Sequence, residues 1–304
     1  MKSTTSLVAE EYLTDQLAPL WRRRLIDATN YVRQTLSLNP APSLSDIAHH
    51  CAVSPFHLHR MFQMVFSETP GQYIRRLRLQ VAVNWIYERP DKAITEIAHE
   101  CGFSSSQALA KVLKRELGMT ARDIRNAIKN GDNRQIDQLC LKLGHPQGTE
   151  VGSLEEIAAK TIDFSVVERP DMAMKVWRCE FPWYESVEGL YNKGRMKLTN
   201  DLYLVNEIED LNKPYAEWNM KVGTLTETGQ QENLAVKSGR YLSCDVSLSS
   251  DAGYIAVWMA MFDHITREGL EVNETGLIIE KVMNPDVLVT ELKPVRLQVF
   301  LELA

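Results

Sequence analysis

A pattern that occurs twice constrains the fold of this chain more than any other feature. Residues 44–54, Leu-Ser-Asp-Ile-Ala-His-His-Cys-Ala-Val-Ser, return at 94–104 as Ile-Thr-Glu-Ile-Ala-His-Glu-Cys-Gly-Phe-Ser. In each copy apolar residues fall at helical spacing (Ile47, Ala48 and Cys51; Ile97, Ala98 and Cys101). A two-residue turn follows (Ala52-Val53; Gly102-Phe103), and a Ser suited to an N-cap opens a second helix. Two packed helices need only small and apolar residues at such places, so one copy alone would specify little. Two copies at constant spacing specify a tandem helix-turn-helix. With one residue inserted after the Ser of the second copy, Leu58 aligns with Leu109, Phe62 with Leu113 and Pro70 with Ala121.

The second helix of each copy divides into two faces. After Ser54, the residues Leu58, Met61, Phe62 and Val65 follow a helical repeat and form a core stripe, leaving Phe56, His59, Arg60 and Gln63 outward. A helix entering the major groove of double-stranded DNA needs donors and flat or apolar groups on its first turns. Arg60 suits guanine, His59 and Gln63 offer hydrogen bonds, and Phe56 suits a thymine methyl. In the second copy Leu109, Val112, Leu113 and Leu117 face inward, and Ser106, Gln107, Ala110, Lys111 and Lys114 outward. Gln107 suits adenine; Lys111 and Lys114 suit phosphate. Simple solvent exposure is the alternative for both outward faces. Residues 71–88 read as one connecting helix, about 27 Å long, which can set two recognition helices in successive major grooves. It carries Arg75, Arg76 and Arg78, for which phosphate contacts and internal salt bridges are the two alternatives.

At 304 residues, 44% of them hydrophobic, the chain can supply two cores. Its net charge of −6 divides unevenly: residues 18–130 hold 16 Lys and Arg against 9 Asp and Glu, whereas residues 131–304 hold 17 against 28. The basic part suits a phosphate backbone; the acidic part repels it and favours cationic or neutral ligands. Cys51, Cys101, Cys140, Cys179 and Cys244 are scattered without a Cys-x-x-Cys pair, so neither a disulfide framework nor a metal site is expected, and no cofactor. The N-terminus lacks the apolar run of a signal peptide and no segment has the apolar length of a membrane span, which predicts a cytoplasmic protein with no membrane partner.

The helical texture lasts to about Ile128. Lys129-Asn-Gly-Asp-Asn-Arg134 breaks it, Ile136, Leu139, Cys140 and Leu143 form a short periodic piece, and Gly144 to Ser153 reads as linker. The expected division is 1–143 for the helix-turn-helix domain, 144–160 for the linker and 161–304 for a second domain. From Ile162 short alternating runs take over, at 164–168, 173–177, 218–222, 241–246, 277–282 and 296–301, with helical candidates at about 183–199 and 252–268. The order strand, strand, helix, strand, strand is read twice, opened first by Arg169-Pro-Asp-Met172 and then by Lys237-Ser-Gly-Arg-Tyr241.

In the run 277–282, alternation sets Glu280 on the face opposite Ile279 and Lys281. A carboxylate in a groove needs a cationic partner; a bound organic cation can be that partner, and aromatic faces would complete a cage. The candidates are Trp177, Trp183, Tyr184, Trp218, Tyr241, Tyr254 and Trp258. The alternative is that Glu280 pairs with a local Lys or Arg and the aromatics are core. Residues 161–304 contain one His, His264, and no Ser-His-acid or metal-spaced cluster, so no catalytic residue is expected. A small-molecule hydrolase and a protein-interaction module are the rival classes for this half.

Residues 20–128 resemble the AraC/XylS family of transcription regulators. The likeness is carried by Leu44-Ser-Asp-Ile-Ala48, Ser54-Pro-Phe-His-Leu-His-Arg-Met-Phe62, Pro70-Gly-Gln-Tyr-Ile-Arg75, Arg78, Ile97-Ala98, Cys101-Gly-Phe103 and Gly118-Met-Thr-Ala-Arg-Asp-Ile-Arg125. Where that family usually has aromatic residues in its second recognition helix, this chain has Ala108-Leu109 and Leu113. Residues 160–304 resemble the GyrI-like effector-binding domain, through the Pro170 turn, Ser238-Gly-Arg-Tyr241, and Leu277-Ile-Ile-Glu-Lys-Val-Met-Asn-Pro-Asp286 followed by a last strand. The acidic-aromatic strand and Asn-Asp-Pro of that family appear here as Glu280-Lys281 with Asn284-Pro-Asp286. The resemblances imply a multidomain protein, an all-α tandem helix-turn-helix domain of seven helices followed by an α+β GyrI-like domain of two strand-strand-helix-strand-strand repeats meeting in a groove. They imply a transcription regulator, an activator rather than a repressor, with double-stranded DNA, a small cationic or amphipathic effector and RNA polymerase as partners. Phe56, His59 and Arg60 are the base-reading residues they point to.

Overall fold

The computed structural model describes residues 4–147, 152–180, 183–197, 202–226, 232–290 and 294–304. The chain divides into two compact units. One comprises residues 6–157 and 250–255; the other comprises residues 158–249 and 256–304 together with Thr4 and Thr5.

The first unit is helical: α1 (Ala9–Thr14), α2 (Pro19–Gln34), α3 (Leu44–His50), α4 (Pro55–Phe66), α5 (Pro70–Glu88), α6 (Ile94–Glu100), α7 (Ser106–Leu117), α8 (Ala121–Lys129), α9 (Asn133–Lys142) and the start of α10 (Leu154–Ala159). Local chemistry sets the helix starts. Ser43 with Asp46, Thr69 with Gln72 and Thr120 with Asp123 form reciprocal capping boxes, and Ser54 caps α4 by accepting from the His57 N–H. In the second copy the inserted residue falls at the cap itself, so that Ser105, not Ser104, accepts from the Ala108 N–H and opens α7. The two turns close alike. The N–H groups of Ala52 and Val53 donate to the His49 and Ala48 carbonyls, and those of Gly102 and Phe103 to the His99 and Ala98 carbonyls.

The apolar stripes of the two copies are buried, Ile47, Ala48, Leu58 and Phe62 in one and Ile97, Ala98, Leu109 and Leu113 in the other. Around Phe62 the rings of Phe66 and Tyr73 pack edge-on at 5.0 and 5.7 Å. Beside this core runs a chain of buried polar groups. Glu10 Oε1 accepts from Arg33 Nη2 at 2.7 Å and from Tyr73 Oη at 2.5 Å. Arg76 donates to the Glu68 carboxylate and, at 2.9 Å, to His145 Nδ1. His145 Nε2 in turn donates to the Phe66 carbonyl at 2.9 Å, so the ring is neutral with its proton on Nε2. The segment expected as a linker therefore begins inside the unit: His145 is buried, its N–H donates to Glu155, and Pro146 bridges to Ser153. Residues 148–151 of that segment lie outside the described residues.

The second unit is built on one sheet. Its strands are β1 (Thr5–Ser6), β2 (Ser165–Arg169), β3 (Met172–Arg178), β4 (Leu202–Glu207), β5 (Lys221–Leu225), β6 (Leu234–Val236), β7 (Gly239–Leu248), β8 (Leu277–Val282) and β9 (Val295–Glu302), ordered β1-β7-β9-β8-β4-β5-β3-β6, with β2 also on β7. Helix α11 (Trp183–Asn192) joins β3 to β4, and α12 (Asp251–Glu268) joins β7 to β8, each passing over one antiparallel strand, β5 or β9. Each connection links parallel strands, and right-handed crossovers in these opposed directions put both helices on one face.

The other face is closed. Strand β2 pairs at the β7 end of the sheet and β3 lies at the opposite end, yet only Pro170 and Asp171 separate them; β6 and β7 are likewise separated by Lys237 and Ser238. Such links reach roughly 11 Å, so the two ends of the sheet must curl together. The Ser238 N–H donates to Asp171 Oδ1 at 2.6 Å and ties one link to the other. Inside the curl Met174, Val205, Tyr241, Ile279 and Phe300 pack together, with Val167 from β2 and Leu234 from β6 against them. Strand β4 and strand β6 were not among the sequence-predicted runs. The run expected at 218–222 lies instead at 221–225, with Trp218 just after a short 3-10 turn, Tyr215–Glu217. The helix expected to about 199 ends at Asn192.

Candidate nucleic-acid interface

Helix α4 presents its predicted residues on an accessible face. Phe56 is 67% exposed, Arg60 and Gln63 are exposed, and His59 is half-buried. The Arg60 guanidinium carbon lies 5.7 Å from the Phe56 ring, close enough for the ring to hold the side chain over the first two turns. The helix contains no Asp or Glu, so nothing on it repels a phosphate. On α7, Gln107, Lys111 and Lys114 are exposed and Ser106 is half-buried; Lys114 Nζ also reaches the Gly118 carbonyl at 2.9 Å.

The three arginines of α5 separate. Arg75 is exposed, 3.8 Å from Glu116. Arg76 is placed otherwise than a phosphate contact requires: its side chain is 11% exposed and fully engaged with Glu68 and His145. Arg78 is also a structural group, donating to the carbonyls of Leu36 and Leu38 in the segment between α2 and α3. For both residues the phosphate role is corrected to an internal one. The sequence reading missed the start of α2. The Trp21 ring lies 6.2 Å from that of His57 on the first turn of α4, with the Arg24 guanidinium 5.2 Å from Trp21. The run Trp21-Arg-Arg-Arg24 was its only sequence signal.

In the second unit the register places side chains in rows. Trp177 pairs with Val222, Val222 with Leu204, Leu204 with Glu280, and Glu280 with Val299. This row lies on the face opposite Ile279 and Phe300, and so on the helix-bearing outer face. Glu280 is 1% exposed. Tyr241 is on the closed inner face with Phe300, which removes it from any cage around Glu280. Trp177 is half-buried, with Lys175 Nζ 5.8 Å from its ring. Trp183 and Tyr184 stack edge-on at 6.2 Å at the start of α11. Trp218 donates from Nε1 to the Lys213 carbonyl at 3.1 Å. Trp258 lies beside Phe262 on α12, and Tyr254 falls in the part of α12 grouped with the helical unit. Among the described residues no group of His, Cys, Asp and Glu is arranged to hold a metal ion, and no helix is long and apolar enough to cross a membrane.

The first unit thus contains two helix-turn-helix motifs joined by one long helix. A family model described as "Helix-turn-helix domain" matches residues 47–127. The relative "HTH-type transcriptional activator RhaS" of Escherichia fergusonii is 36% identical over 85 residues, 28% of this chain and 30% of that protein. The chain therefore aligns with about a third of the length of the curated relatives it matches. A crystal structure of a transcriptional regulator with an AraC-type DNA-binding domain from Chromobacterium violaceum covers 35% of this chain and 92% of that one, at 26% identity and a TM-score of 0.33. A structure of SAV2435 bound to tetraphenylphosphonium covers 47% of this chain and 94% of that one, at 7% identity and a TM-score of 0.34, a likeness too low to carry a functional assignment. Residues 47–127 are thus similar to the helix-turn-helix domain of that family model and of transcriptional activators such as RhaS.

Proposed function

We propose that this chain is a DNA-binding transcription regulator of the AraC/XylS type, an activator, whose first unit reads two successive major-groove segments with α4 and α7. The observation that carries the reading is the pair of exposed helix faces, Phe56-His59-Arg60-Gln63 and Ser106-Gln107-Lys111-Lys114, each on the second helix of a helix-turn-helix. Arg75 and the Trp21–Arg24 turn supply backbone contacts beside them. RNA polymerase is the partner through which an activator acts. The test selects binding duplexes from a random pool with the full chain, then compares Arg60→Ala by fluorescence anisotropy. A loss of about 1–3 kcal/mol confined to one base position supports the reading; equal binding to every duplex by both proteins sinks it.

The second unit, on this proposal, is a GyrI-like effector-binding domain. Support comes from a buried carboxylate, Glu280, on the sheet face that also carries the two crossover helices. A carboxylate there favours a cationic or amphipathic molecule. A ligand changes DNA binding only through different affinities for two states of the protein. Tryptophan-fluorescence titration of the full chain with lipophilic cations checks this. Saturable binding that weakens in Glu280→Gln is the expected outcome, and no binding by any cation rejects the cation site.

A further inference from the structure

Within the second unit, Asn206, on the central strand β4, is a fully buried side chain with both of its polar atoms, Nδ2 and Oδ1, unpaired among the described residues. An unpaired buried amide costs stability, whereas a leucine of similar size would cost none. Such a group is tolerated where something else completes its bonds for part of the time.

Its position says where that partner would come from. Asn206 faces Ile278 on β8, and Leu204 faces Glu280, so Asn206 and Glu280 are diagonal neighbours on one face, about 7 Å apart. That face is the outer one. The first crossover spans β3 to β4 and the second spans β7 to β8, so the two crossovers end on the adjacent strands β4 and β8 in the middle of the sheet. On their outer face these two strands present one carboxylate and one carboxamide, both buried, amid Leu204, Ile278 and Val282.

We infer that Asn206 is a specificity-determining residue of this site, selecting small molecules with an apolar body and a hydrogen-bond donor and acceptor side by side, as on a carboxamide or lactam edge. The inference rests on the effector-site reading above and refines it. A carboxamide edge satisfies Oδ1 and Nδ2 together, which a quaternary cation or an ester cannot do. The site therefore discriminates by hydrogen-bond pattern as well as by charge, because a ligand lacking either group leaves the buried amide unpaired.

The experiment compares the full chain with its Asn206→Leu variant, using benzamide and methyl benzoate as probes in calorimetric titrations and thermal unfolding without ligand. The expected results are a rise of roughly 4 °C in the unfolding midpoint of the variant, preference of the unaltered protein for benzamide, and a loss of about tenfold in benzamide affinity in the variant. A lowered midpoint would show that the amide is bonded in the free protein and would overturn the inference. So would equal affinity for the two probes, or absence of benzamide binding. If the lipophilic cations still bind in a Glu280-dependent manner, only the role of Asn206 falls; if neither they nor benzamide bind, the effector site falls with it.

Discussion

At position 52 an alanine takes the left-handed turn that a glycine takes at position 102, with φ of 52° and 78°. The two sites differ in what surrounds them. A Cβ at Gly102 would stand 2.6 Å from both the Leu36 carbonyl and Arg78 Nη2, so only glycine fits there. Ala52 is exposed and bears only the backbone strain. In urea unfolding, Ala52→Gly is expected to stabilise by about 0.5–1 kcal/mol, the left-handed strain relieved less the added chain entropy. Gly102→Ala should destabilise by about 2 kcal/mol or more, since the Leu36 backbone must move. A second residue-scale prediction concerns acid. Burial, with the Arg76 cation beside it, pushes the His145 imidazole down to about 3. For Glu10, burial works against the carboxylate, but Arg33, the Tyr73 hydroxyl and Arg76 outweigh it and hold the group at about 2. Both values lie below those of the unfolded chain, so the unfolded state binds the extra protons and stability is lost as the pH is lowered. His145 contributes to the loss from about pH 6.5 downward, at a slope approaching 1.4 kcal/mol per pH unit, and Glu10 adds to it below about 4.5. His145→Gln keeps a donor and an acceptor without the titration; unfolding midpoints between pH 6.5 and 4.5 should then change little, and an unchanged acid slope would reject His145 as its source.

The two recognition helices are unequal elements. Helix α4 offers an aromatic ring, an imidazole, a guanidinium and an amide, while α7 offers one amide and two lysines around Ala110. Lysine at phosphate carries affinity without sequence information. Lys111→Ala is therefore expected to weaken binding uniformly across duplexes and to lower the slope of log K against log salt by about 1; a change confined to one base position would instead make α7 a base reader. The elements also show where sequence reading succeeds. Helices α3, α4, α6 and α7 were legible because one-sided burial writes a helical period, and the starts of α3, α4 and α7 each carry a capping side chain. Strand β4 was not legible: Leu-Tyr-Leu-Val-Asn is buried on both faces, so it has no alternation to betray it. Asn206 was overlooked with the strand that holds it. Arg76 and Arg78 were misplaced for a related reason, since three arginines within four residues look like a charged surface until Glu68, His145 and the Leu36 carbonyl are brought to two of them.

On the scale of the whole molecule, the acidic half is held together by closure of its sheet. Asp171 is central to that closure, its carboxyl held below the usual range by the Ser238 backbone N–H. Asp171→Ala should lower the thermal midpoint of the protein at neutral pH, whereas an unchanged midpoint would mean that the interior cluster alone closes the sheet. The sequence by itself determined the tandem helix-turn-helix, the opposed charges of the two halves, the outward faces of α4 and α7 and the strand that carries Glu280. These are properties of neighbours three or four residues apart, or two along a strand, and short-range periodicity records them. Tertiary structure alone decided which arginines are free, that His145 is buried and neutral, that Tyr241 turns away from Glu280, and that Asn206 lies beside Glu280 with its amide unpaired. Those outcomes depend on residues 40 or more positions apart in the chain, and pairings at that range leave no mark on local pattern.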